Sequence, residues 1–175
     1  MKKILLDNQE FHFDQRYLPI LIHGEAGSGA SLFTISLLAD LYSQGTKIIA
    51  LTGFPMAREE FEKQTDANEN TQFFTKENKN SFSETVKKLS DQNDYVILIK
   101  NIELFDEQTF EEVKKFNNAF ISGDINKCTF KEKLLQKNFT TQIYFSQLNE
   151  ALPSLQKYQG YLMSSNQTGI VSLEA

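Results

Sequence analysis

Apolar residues fall along the chain in two rhythms, short unbroken runs and runs that recur every four positions. Residues 19–23 and 95–99 are unbroken apolar stretches closed by His23 and Lys100, the pattern of strands buried on both faces. Between residues 32 and 42, Phe33, Leu37 and Leu41 share one helical face, and Gly45 ends that helix. Residues 47–52 predict the next strand, Gly53-Phe54-Pro55 a break, and 57–64 a short helix. Residues 65–80 are polar except for Gln72-Phe73-Phe74, and predict a loop carrying a brief strand. Ser81 and Glu84 have capping-box spacing for a helix to about residue 91, as do Thr129 and Glu132 for a helix to about 137. A helix at 107–116, strands at 119–122 and 141–145, and a hairpin of 160–164 with 169–173 complete the series. At the other end, residues 3–6 and 11–13 flank Asp7-Asn8-Gln9 as a short hairpin ahead of the core. Strand alternating with helix predicts an α/β fold, a mainly parallel sheet with helices on both faces and a C-terminal β-hairpin. The expected organisation is one domain over 1–175, with 1–18 as an extension and no internal repeat.

The first strand runs into Gly24-Glu25-Ala26-Gly27-Ser28-Gly29-Ala30-Ser31 and then into the four-residue helical rhythm. Strand, glycine loop and helix in that order make a phosphate cradle, because loop amides and the helix N-terminus both point at an anion. Against the pattern G-x-x-x-x-G-K-[ST], Gly24, Gly29 and Ser31 fall in place and Ala30 stands where the lysine belongs. The candidate phosphate-binding positions are Gly24, Gly27, Ser28, Gly29, Ala30 and Ser31.

Three further segments extend the loop to a family resemblance. The run Tyr95-Val96-Ile97-Leu98-Ile99-Lys100-Asn101-Ile102-Glu103-Leu104-Phe105 resembles the Walker B strand of the DnaB and KaiC type, with Lys100 where an aspartate is expected. The run Ile143-Tyr144-Phe145-Ser146-Gln147-Leu148-Asn149 is similar to the DnaB-type segment whose glutamine senses the γ-phosphate, and Gln147 is retained. Pro55, in Ala50-Leu51-Thr52-Gly53-Phe54-Pro55-Met56, takes the place of the glutamate that polarises the attacking water. The resemblance spans roughly residues 19–173 and implies a RecA-like P-loop core of the DnaB/KaiC superfamily, in three layers. It adds Lys100 and Gln147 to the candidate site and implies ATP, another nucleotide or phosphate as ligand.

Phosphoryl transfer in such proteins rests on a loop lysine, a magnesium held partly by the Walker B acid, and a residue orienting water. Ala30, Lys100 and Pro55 remove all three, so magnesium and turnover are not expected. Glu103 and Asp124 are the acids near the strand tips, read as solvated loop carboxylates, and Glu25 as pointing to solvent. Lys100 has two readings: it projects toward the phosphate and stands in for the metal, or it points to solvent or pairs with Glu25 or Glu103. The leading function is a catalytically degenerate domain that binds proteins, itself or an active relative. The alternatives are a nucleotide-binding module with little or no hydrolysis, and an active ATPase carrying an engineered loop substitution, which Lys100 and Pro55 oppose.

Composition sharpens this in three places. A net charge of -5 with only Arg16 and Arg58 as arginines argues against tight nucleic-acid binding, which needs clustered cations. Lys127, Lys131, Lys133 and Lys137 are interrupted by Glu132 and read as a solvated helix face. The single Cys128 reads as a buried thiol and His23 as a packed core residue. No apolar run approaches a membrane span, and Ile4-Leu5-Leu6 after two lysines is too short for a signal peptide, so a cytoplasmic protein is expected.

Overall fold

The computed structural model describes residues 2–66, 70–89, 94–148 and 151–174. Its strands are β1 (Ile4–Leu6), β2 (Gln9–Glu10), β3 (Ile20–His23), β4 (Lys47–Thr52), β5 (Thr71–Phe74), β6 (Tyr95–Lys100), β7 (Ala119–Gly123), β8 (Thr141–Tyr144), β9 (Gly160–Ser164) and β10 (Thr168–Leu173). Its helices are α1 (Ala30–Ser43), α2 (Met56–Gln64), α3 (Lys79–Lys87), α4 (Glu107–Val113) and α5 (Lys131–Leu135). All ten strands join one sheet in the order β2-β1-β10-β9-β8-β3-β7-β6-β4-β5. From β8 to β5 every pairing is parallel, and the remaining strands extend the sheet antiparallel from β8.

Alternation along the central strands sorts the core into two clusters. Ile20, Ile22, Val96 and Leu98 join Phe33 and Leu37 of α1 and Phe61 of α2. Leu21, Ile97 and Ile99 join Phe82 of α3, Phe110 of α4 and Leu134 of α5. Helices thus cover both faces of the parallel strands, which explains why those strands read as unbroken apolar runs. Helix α1 is buried around most of its circumference, beyond the single face of Phe33, Leu37 and Leu41, because the N-terminal segment crosses it. Phe13 N–H donates to Asp40 Oδ2 at 2.6 Å, His12 Nδ1 lies 2.8 Å from Asp40 Oδ1, and the Phe13 and Phe33 rings meet edge to face.

Several expected boundaries move. The N-terminal hairpin pairs β1 with β2, and residues 11–13 are the segment over α1 instead of its second strand. The hairpin also belongs to the main sheet, since β1 pairs with β10. Helix α3 starts before Ser81, following a short turn at Lys76–Asn78 where the Asn78 side chain accepts from Thr75 N–H at 2.5 Å; the expected end near residue 91 lies outside the described residues. Helix α5 begins at Lys131 with no side-chain cap, so Thr129 and Glu132 do not form a capping box. In both cases the spacing was present but the residues fell in the wrong register with the backbone turn. Among the described residues no helix is long and apolar enough to cross a membrane.

A cavity between the glycine loop and the tip of β6

Strand β3 lies between β7 and β8, so the loop that follows it emerges at the C-terminal edge of the parallel strands, where ligands of open α/β sheets bind. Gly24 is buried: its N–H donates to Gly123 O at 3.2 Å, and a Cβ there would collide with Ala30 Cβ and Ser28 Oγ. Gly27 and Gly29 have φ of 81° and 93°, a left-handed backbone that favours glycine. Glu25 N–H donates to Ser146 Oγ at 3.0 Å and Ser28 N–H to Glu25 O at 3.1 Å. The amides of Ala26, Gly27 and Gly29 have no acceptor among the described residues. The loop backbone thus has the conformation expected of the candidate cradle, with three amides uncommitted.

A cavity of about 290 Å³ opens beside this loop. Gly24, Gly27, Gly29, Ala30, Ser31 and Lys100 all line it. Two expected site residues do not: the Ser28 hydroxyl accepts from Ala30 N–H at 3.4 Å, and Gln147 is exposed, its carbonyl accepting from Asn126. Glu25 is exposed, as anticipated. Pro55 sits at the N-cap of α2, next to Phe54, which does line the cavity.

Lys100 corrects one of its two readings. It is only 6 % exposed and does not point to solvent. Its Nζ donates to Asn101 Oδ1 at 3.3 Å, and no carboxylate among the described residues lies within ion-pairing distance. Burial pushes its pKa down, with the charge of Glu103 opposing. The resemblance to a RecA-like core implied that β6 lies beside β3, and the topology differs: β7 lies between them, pairing Lys100 with Ser122 and Ile22 with Ser122 in turn. The lysine reaches the cavity across one intervening strand.

The acids at the strand tips are structural rather than solvated. Glu103 Oε2 accepts from Asp124 N–H at 2.8 Å, Asp124 is 8 % exposed, and its Oδ2 is 3.9 Å from Lys127 Nζ while Oδ1 is buried without a partner. Among the described residues no three His, Cys, Asp or Glu side chains gather as a metal site. His23, fully buried, accepts from Ile125 N–H through Nδ1 at 3.0 Å, which leaves the neutral ring's proton on Nε2, itself without a partner. Burial pushes its pKa down, against the charge of Asp124. Cys128 is buried, and burial raises its thiol pKa. The lysine face is mixed: Lys133 pairs with Glu107 at 2.9 Å, whereas Lys137 donates to the carbonyls of Lys114 and Phe116.

Sequence reasoning missed Tyr158. At φ 65° it presses on the loop from outside, so a Cβ on Gly29 would meet it at 3.1–3.2 Å. It also borders a second recess of about 690 Å³ that shares Gly27, Gly29 and Ser31 with the first. No local signal marked it, because a lone tyrosine in a polar segment carries no period.

No protein-family model matches the sequence, and no curated protein matches it. Solved structures do share the fold. The chain resembles the cytoplasmic domain of the Thermomonospora curvata type VII secretion ATPase EccC at 8% identity and TM-score 0.66, covering 99% of this chain and 26% of that one. A structure described as an ATPase gives 10% identity and TM-score 0.68 over 99% of this chain and 86% of the other. The cytoplasmic domain of EssC gives 13% identity and TM-score 0.63 over 98% and 43%. The chain thus spans about a quarter of the EccC structure and under half of the EssC one. These likenesses establish that the chain shares its α/β fold with domains of ATPases.

Proposed function

We infer that the chain is a catalytically degenerate P-loop domain that works through protein contacts, in assembly or regulation, and does not turn over nucleotide. The observation that carries this is the make-up of the cavity walls: a methyl group at Ala30 heads the loop helix, and an ammonium at Lys100 ends β6. A phosphoryl-transfer site needs a cation at the first position and a metal-binding acid at the second, and here both chemistries are missing. The degenerate motifs keep the order of the RecA-like DnaB/KaiC type, which is the subfamily we favour. Apolar side chains beside the cavity support a contact role: Phe54 is 55 % exposed and Leu104 37 %, and both line it, while Met56 is 66 % exposed. The structures that share the fold include the cytoplasmic domains of the type VII secretion ATPase EccC and of EssC, and partners of this chain are sought among copies of itself or an active relative.

Single-turnover hydrolysis of ATP and GTP with enzyme in excess tests the reading. The expected result is no phosphate release above background. Release that disappears in Ser31→Ala would overturn it. The second reading, a nucleotide-binding module without hydrolysis, draws support from the uncommitted loop amides, and calorimetry with ATP and a non-hydrolysable analogue separates it from the first.

A further inference from the structure

Among the described residues the large apolar side chains left exposed are Phe54, Met56, Leu104 and Tyr158. Scattered singly they would need no explanation, but three of them lie together near the tips of β4 and β6. A Cβ on Gly53 would come within 2.7 Å of Leu104 Cδ1, so Leu104 lies against the strand end that carries Phe54. Both side chains border the cavity, and Met56 follows as the first residue of α2. The cavity beside this shelf is acidic on balance: Glu25, Glu103 and Asp124 line it with Lys100 and Lys127, leaving one negative charge in excess, and Asp124 Oδ1 has no donor. Tyr158 stands on the other side of the glycine loop. Its recess shares Gly27, Gly29 and Ser31 with the cavity and none of the shelf residues, so the loop separates the two patches within one chain. The Lys157 ammonium lies 4.8 Å from the Tyr158 ring centroid, and Gly29 packs against the Tyr158 backbone, where a Cβ would meet its Cα at 3.2 Å. Lys2 and Lys157 border that recess against the one carboxylate of Glu174, so this side is basic on balance. An exposed ring with an ammonium over it, held against the loop, is the complement of an apolar shelf beside carboxylates. The other rings that carry a lysine are not free in this way: Phe116 is buried, and Tyr95 and Phe139 pack against the core.

We propose that a second copy of this chain docks head to tail, setting its Tyr158 on the Phe54, Met56 and Leu104 shelf of its neighbour and its Lys157 ammonium among the carboxylates at that neighbour's cavity. The inference rests on the reading of the chain as a protein-contact domain and names its partner. The two faces differ, so each docked pair leaves one of each free, and association runs on to longer species unless a ring closes. Three apolar side chains and an exposed ion pair make a small contact, so the association is weak and weakens further with salt.

Sedimentation equilibrium of the full chain tests it. The average mass should rise between micromolar and millimolar concentration and fall as salt is added. Met56→Asp, at the exposed start of α2, and Lys157→Glu should each weaken association at least about 10-fold. Lys87→Glu, which adds negative charge on the exposed side of α3, should not. An equimolar mixture of Met56→Asp and Lys157→Glu should form a dimer and nothing larger, because each variant retains the face that the other lacks. A chain that is monomeric at millimolar concentration, association that persists in either variant, or a mixture that stays monomeric overturns the proposal. Each of these removes this contact alone, whereas phosphate release in the single-turnover assay removes the non-hydrolytic reading on which it rests.

Discussion

The glycine loop and the strand tips facing it stand in contrast, one in its backbone and the other in its side chains. The loop keeps its geometry: Gly24 fills a space no side chain fits, and Gly27 and Gly29 hold left-handed conformations. The tips keep their positions but not their chemistry, with Lys100 at the end of β6 and Pro55 after β4. Backbone geometry is tied to the packing of β3 and α1 and is lost only at a cost in stability. Side chains at a strand tip carry less of that packing, so they can change at a smaller cost in stability.

The sharpest way to break this contrast is to rebuild the chemistry. Each preorganised group is worth about 100- to 1000-fold in rate, so Ala30→Lys alone should leave single-turnover hydrolysis at background, and only its combination with Lys100→Asp and Pro55→Glu should raise it. Measurable turnover from Ala30→Lys alone would mean that the tips had not been retired. Next in size is the loop itself. Gly24→Ala should destabilise by about 1–3 kcal/mol through overpacking against Ala30 and Ser28. Gly27→Ala meets open space and bears only backbone strain, about 1–2 kcal/mol. Urea unfolding compares them, and equal costs would show that packing at Gly24 is not what preserves the loop.

A smaller effect is set by pH, and two histidines should oppose each other. His23, at the tip of β3, has its pKa pushed below the ordinary value by burial, so its neutral form is the stable one and stability is lost as pH falls below about 6.5. His12 has its pKa raised, first by its hydrogen bond to Asp40, so its contribution is complete below about 6.5 and fades as pH rises through the folded value. The His12 side chain is 62% exposed, and solvent screening keeps that contribution small. Melting temperature against pH should flatten on its acid limb in His23→Gln and on its neutral limb in His12→Gln. The smallest expected signal is nucleic-acid binding: none that is tight at physiological salt, checked by fluorescence anisotropy with single-stranded DNA and RNA. A submicromolar affinity falling steeply with salt would recast the site as an interface for polynucleotides.

The parallel core was legible because burial on two faces writes an unbroken apolar run, as in β3 and β6, and the loop was legible because glycine at fixed spacing has few other uses. The capping boxes at Ser81 and Thr129 failed for a physical reason: the spacing is short and common, and the Thr75–Asn78 turn and the Cys128–Lys131 backbone bond decided the helix starts instead. The pairing of β1 with β10 joins residues more than 160 positions apart, a contact no local pattern encodes. The burial of Lys100 was half legible. Its position at the end of an apolar strand suggested an inward aim, but its orientation depended on β7 standing between β6 and β3, which the sequence does not reveal.

The sheet ends in two residues at β2 on one border and four at β5 on the other, and β2 is Gln9–Glu10, polar and exposed. Both margins are short, and the β2 margin also carries the charge of Glu10, which gives an incoming strand little to register against. Strand addition at the β2 margin is therefore disfavoured by the same hairpin that completes the fold.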